Sequence, residues 1–143
     1  MSQQSSVRSR IGFPISENNI PDRSLAARWG SHQLFEEGFV GVPAAFLRCY
    51  TQLNLSTGEA MFVLQLMAFK WNENAPFPSY KTLAERMGIT TEMARRHAKS
   101  LEDKRLLVRV KRTGQSNAFD LRPLSSALEQ LLIAKPRTLK SAA

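Results

Sequence analysis

Two capped helices joined at a glycine and followed by a short alternating hairpin predict a mainly α fold with a small β-hairpin, the winged helix-turn-helix. Three observations carry this. Ser79 opens a helix from Tyr80 to about Met87, with Leu83, Ala84 and Met87 on one face and Gly88 as terminator. Thr90 caps a further helix from Thr91 to about Lys104. Leu106, Val108 and Val110 then alternate with Arg109 and Lys111, a strand with one wet face. Thr113-Gly114-Gln115-Ser116 turns the chain, and Asn117 to Arg122 returns with Phe119 and Leu121 inward.

Residues 1–21 are rich in Ser, Asn, Gln and Arg without sustained period, and read as a flexible arm. The domain spans 22–134. Asp22 caps a short helix through Arg28 that ends at Gly30. Phe39-Val40-Gly41-Val42 is a short extended apolar run, read as a strand stopped by Pro43. A helix follows to about Gln52, burying Phe46, Leu47 and Tyr50. Ser56-Thr57-Gly58-Glu59 is a capping box opening a helix to about Trp71 that is apolar nearly all round, and so belongs at the centre of a core. Asn72 to Pro78 is a loop. A last helix runs from Leu124 to Ala134, and 135–143 form a basic tail.

Composition narrows the function. The chain has 143 residues, 43% apolar and 22% charged, so one globular domain is expected rather than a disordered chain. Net charge is +8 and the isoelectric point about 10.3. So basic a small protein meets a polyanion, either nucleic acid or an anionic surface. One cysteine, Cys49, excludes an internal disulfide framework and is read as a small buried apolar group. No apolar run is long enough to span a bilayer, so no membrane partner is expected. The N-terminus carries no apolar signal core, which makes cytoplasm the expected compartment.

The helix from Thr91 separates into two faces at 100° per residue. Ala94, Ala98 and Leu101 share one face; small residues there permit close packing. Glu92, Arg95, Arg96 and Lys99 lie opposite, as a major-groove helix requires. From Tyr80 to Arg112 there are ten cations and four acids, so +6 of the +8 lies in less than a quarter of the chain. Counterion release makes such clustering productive on a phosphate lattice.

The succession Pro78-Ser79, Leu83-Ala84, Gly88, Thr90, Leu101-Glu102 and Leu106-Leu107 resembles the winged helix-turn-helix domain of plasmid and phage replication initiators and related bacterial DNA-binding regulators. The Leu55-Ser56-Thr57-Gly58-Glu59 opening fits as well, so the resemblance covers roughly 39–125. It implies double-stranded DNA as partner, in transcription control or replication initiation. Two positions depart from the family pattern. Arg105 stands where Gly is usual, which at positive φ costs on the order of 1 kcal/mol. Ala94 stands where a larger β-branched residue is common.

The expected DNA-facing set is Thr91, Glu92, Arg95, Arg96 and Lys99 on the recognition helix, Ser79, Lys81 and Thr90 at helix N-termini, and Arg109, Lys111, Arg112 and Gln115 on the wing. No cofactor, metal or catalytic constellation is expected. His32 and His97 lack the spacing of a metal pair, Glu36-Glu37 are adjacent and spread apart, and no glycine-rich phosphate loop occurs. Trp29 and Trp71 are read as loop-end packing before base stacking. Absence of paired aromatics on a sheet argues against RNA. An alternative is a winged helix used as a protein-interaction module in a nucleoprotein complex. The leucines of the last helix (Leu124, Leu128, Leu131 and Leu132) either complete the core or pair with a second copy. The small footprint of one winged helix favours a homodimer on a two-fold site.

Overall fold

The computed structural model describes residues 25–69 and 78–134. The expected arm, the Asp22 cap, Trp71, most of the 72–78 loop and the basic tail lie outside the described residues. The chain divides into two units, Met1–Val40 and Gly41–Ala143. In the first, helix α1 (Leu25–Trp29) ends at Gly30, whose φ of +69° is left-handed. A 3-10 turn at Gln33–Phe35 follows, and the Trp29 ring meets Phe35 edge-on at 6.5 Å. The strand expected at Phe39–Val42 does not form. Phe39 is 70% exposed, and the two strands among the described residues pair only with each other. An extended run without a neighbouring strand has no ladder to satisfy its backbone groups.

The second unit opens with α2 (Ala44–Cys49), preceded by Pro43 and tightening into a 3-10 turn at Tyr50–Leu53. Phe46 is fully buried and Tyr50 half-buried, their rings 6.1 Å apart. Leu47 is 56% exposed, against expectation. Consecutive helical residues point about 100° apart, and the Phe46 and Tyr50 positions already define the inner face.

Helix α3 (Thr57–Ala68) begins with the capping box: Ser56 Oγ accepts from the Glu59 N–H at 3.1 Å, and Glu59 Oε1 accepts from the Ser56 N–H at 2.8 Å. Phe62, Val63, Leu66 and Met67 are buried. The helix stops at Ala68, before the expected Trp71, because Phe69 turns extended. Helix α4 (Tyr80–Met87) ends at Gly88 with φ +68°, where the Ile89 N–H donates to the Ala84 carbonyl at 3.0 Å. This is the Schellman closure that left-handed glycine permits. Helix α5 (Thr91–Asp103) turns Ala94, Ala98 and Leu101 fully inward, and packs on both α3 and α4.

Strands β1 (Val108–Val110) and β2 (Ala118–Asp120) pair antiparallel, with Arg109 opposite Phe119. The wet and dry faces of β1 are the reverse of the expectation: Val108 and Val110 are 46% and 48% exposed, while Arg109 is half-buried. Leu107 and Phe119 enter the core, and directly paired residues share a face, so Arg109 is carried inward with Phe119. Leu106 is buried ahead of the strand. Helix α6 (Arg122–Ala134) starts two residues earlier than expected, where the Asp120 carboxylate accepts from the Arg122 N–H at 2.9 Å. Its Leu124 and Leu128 are in the core, and it packs on α2. Leu131 is half-buried and Leu132 39% exposed. Helices on one side and a two-stranded wing on the other make this unit a winged helix-turn-helix.

Candidate nucleic-acid interface

The outer face of α5 presents Glu92, Arg95, Arg96 and Lys99 to solvent, with Thr91 half-buried at its start. Arg95 approaches Glu92 at 3.8 Å and Lys99 approaches Asp103 at 3.5 Å. Such exposed pairs contribute little to stability. Arg96 makes no ion pair among the described residues. The Arg95 guanidinium lies over the Tyr80 ring, 5.6 Å from its centroid, a cation–π arrangement.

The cap hydroxyls of the helix-turn-helix are spent on the fold. Ser79 Oγ accepts from the Thr82 N–H and donates to Thr82 Oγ1, both at 3.0 Å. Thr90 Oγ1 accepts from the Met93 N–H at 3.1 Å. These bonds fix where α4 and α5 begin. Lys81 is exposed within the first turn of α4.

The wing is divided in use. Lys111 and Gln115 are exposed near the turn, where Gly114 takes φ +67°. Arg112 is half-buried and its Nε donates to the Ser116 carbonyl at 2.7 Å. Arg109, expected to grip a nucleic-acid backbone, points inward. Its Nη2 lies 2.7 Å from Glu102 Oε1, and Nη1 donates to the Tyr80 hydroxyl at 3.1 Å. These partners hold the Arg109 guanidinium more firmly protonated than usual, and its hydrogen bonds keep the Glu102 carboxyl below the ordinary carboxylate range. Arg109 is therefore a strut joining the wing, α5 and α4.

Ser79, Lys81, Thr91, Arg95, Gln115 and Asn117 converge on a cleft of about 320 Å³ between the start of α4, the start of α5 and the wing. Five of these are among the residues expected from sequence. Arg96, Lys99 and Lys111 lie outside its lining.

Three features escape a reading of the sequence. Tyr80 and Asn117 bridge the wing to α4; nothing local distinguishes them. Glu59 is legible as a cap, but its distant partner is not: Lys104 Nζ lies 2.7 Å from Glu59 Oε1 and 2.6 Å from the Asn54 carbonyl. Burial pushes the Glu59 carboxyl up, yet hydrogen bonds from the Lys104 and Ser100 side chains and the Ser56 N–H outweigh it and lower the pKa to about 2. Lys104 thus anchors the end of α5 to the start of α3 and is withdrawn from the exposed cations of α5. The helix ends beyond it at Arg105, with φ +61° and the Leu106 N–H donating to the Leu101 carbonyl at 3.0 Å. Arg thus takes the left-handed position usual for Gly. His97 is a packing residue: its ring lies 6.1 Å from Phe62, and a Cβ on Gly58 would come within 2.9 Å of it.

Residues 53–107 match the family model of a helix-turn-helix domain. That span runs from just before the Asn54 carbonyl held by Lys104 to the first buried leucines of the wing. No curated protein matches the chain. Among solved structures, the chain is similar to the N-terminal domain of the DnaD protein from Geobacillus kaustophilus HTA426, with 25% identity and a TM-score of 0.59, covering 72% of this chain and 87% of that one. Among the described residues no helix is long and apolar enough to cross a membrane. Sequence match, structural likeness and observed geometry agree on a helix-turn-helix domain with a wing.

Proposed function

We propose that this chain binds double-stranded DNA without catalysing a reaction, as a transcription regulator or replication-initiation factor of a bacterial or mobile-element system. The observation that carries the proposal is the division of α5. Ala94, Ala98 and Leu101 are fully buried, and Arg95, Arg96 and Lys99 stand on the opposite face, with Lys81 lining the same cleft as Arg95 and Lys111 exposed on the wing. A helix of this kind enters a major groove, where Arg reads guanine and Glu92 accepts from cytosine. The cleft between α4, α5 and the wing suits a backbone phosphate held by Lys81, with Arg95 at its α5 side directed to base edges. The match to a helix-turn-helix family and the resemblance to replication initiators support the same assignment.

Titrating a random duplex against salt tests it. Five exposed cations engaging the phosphates of a random duplex predict that log K falls with log salt at a slope of about −4.5. Affinity insensitive to salt, or no binding at low salt, overturns the proposal and leaves a protein-interaction module. A homodimer through α6 has less to offer than the leucine spacing alone suggests, since Leu124 and Leu128 are consumed by the core and only Leu131, Leu132 and Ile133 extend beyond it.

A further inference from the structure

We infer that Tyr80 is a positioning residue that sets Arg95 for base readout through its ring and holds the wing through its hydroxyl. The inference rests on the DNA-binding reading above. Tyr80 is the first residue of α4 and half-buried. One group reaches it from each element that would touch DNA. From α5, the Arg95 guanidinium lies 5.6 Å above its ring. From β1, Arg109 Nη1 donates to its hydroxyl at 3.1 Å. From the start of the returning strand, Asn117 Nδ2 lies 3.5 Å from the same oxygen. From β2, the Phe119 ring packs on it at 5.9 Å and 71°.

Each of these partners has a separate consequence. A long, exposed Arg side chain loses rotamer freedom when it engages a base. A ring that already holds the guanidinium removes part of that cost, so Arg95 is presented at the cleft rather than left to sample solvent. The hydroxyl acts on a different element. Arg109 and Asn117 lie on the two sides of the hairpin, and one oxygen binding both sets the angle of the wing to α4. Arg109 keeps Glu102 when the hydroxyl is removed, so the hairpin remains paired but less firmly directed.

The ring and the hydroxyl can be removed separately. Tyr80→Phe keeps the platform for Arg95 and the packing on Phe119 and deletes only the oxygen. Its expected effect is uniform weakening on all duplexes, with the salt slope shallower by about 1 as the wing releases one phosphate. Discrimination between a selected site and random duplex stays at the wild-type ratio. Tyr80→Leu removes both ring and hydroxyl, and that ratio falls by about 2- to 5-fold, the worth of an exposed cation–π interaction. In an Arg95→Ala background the same substitution leaves discrimination where Arg95→Ala put it. A merely structural residue would lower affinity without this split. If both Tyr80 variants discriminate alike, the ring does not position Arg95; if Tyr80→Phe keeps the wild-type slope, the hydroxyl does not hold the wing. Either result overturns the inference. Should Tyr80→Leu not fold by circular dichroism, Tyr80→Phe with Arg95→Ala still decides the hydroxyl's part. Failure of the wild-type chain to bind duplex at all would instead refute the DNA-binding reading.

Discussion

Replacing Lys104 by Met removes the cation against which Glu59 is buried, and the structure sets the size of the effect. The Glu59 side chain is 5% exposed, and its Oε1 takes Lys104 Nζ at 2.7 Å and the Ser56 N–H at 2.8 Å. Its pKa is lowered from 4.5 to about 2 in the folded protein. Without Lys104, burial opposes the remaining bonds from Ser56 and Ser100, and the carboxyl returns toward its ordinary value. The difference corresponds to about 3 kcal/mol at pH 7. This lies at the low end for breaking a buried pair, as expected with Lys104 a quarter exposed. Because the folded pKa is the lower one, the stabilisation is complete above about pH 4.5 and is lost as pH falls toward 2. At pH 3 only about 1 kcal/mol of it remains. Urea unfolding of wild type and Lys104→Met, followed by circular dichroism at pH 7 and pH 3, reads both numbers. A loss below about 1 kcal/mol at pH 7, or equal losses at both pH values, would refute the argument.

Other substitutions probe separate parts. Arg105→Gly relieves the φ of +61° and should raise stability by about 1 kcal/mol in the same unfolding assay, because the Arg105 side chain is exposed and takes no part in the core. Arg109→Ala and Lys111→Ala should diverge although both remove a wing cation. The first costs about 1–2 kcal/mol of stability because it deletes the bonds to Glu102 and Tyr80. The second leaves stability unchanged and makes the salt slope of duplex binding shallower by about 1.

The fold is legible in the sequence where local chemistry and periodicity agree. Ser56, Ser79 and Thr90 each cap the helix that their spacing predicts, and Gly88 closes α4. The two faces of α5 follow from its sequence because a helix packed on two others must bury its small residues. The features that differ from expectation depend on information from elsewhere in the chain. A three-residue strand alternates too briefly to orient itself, and β1 takes its facing from Phe119 across the hairpin, which carries Arg109 inward. Hydrophobicity alone turns Leu47 inward, although its neighbour Phe46 already occupies that face. Phe39–Val42 has strand composition but no partner strand among the described residues. Counting charge between Tyr80 and Arg112 locates the basic surface but overstates it, since Lys104 and Arg109 are committed to Glu59 and Glu102 inside the fold. Ion pairs separated by 45 residues, like Glu59 with Lys104, leave no periodic trace.

If the outer face of α5 reads DNA, the double variant Arg95→Ala, Arg96→Ala removes its two arginines from the interface. Both side chains are exposed, and Ala is a good helix former, so the fold should persist by circular dichroism. On a duplex chosen by in vitro selection, fluorescence anisotropy should show each single variant weaker by about 1–3 kcal/mol, and the double variant reduced nearly to its affinity for random duplex. A folded double variant that binds the selected site as tightly as wild type would remove α5 from the interface.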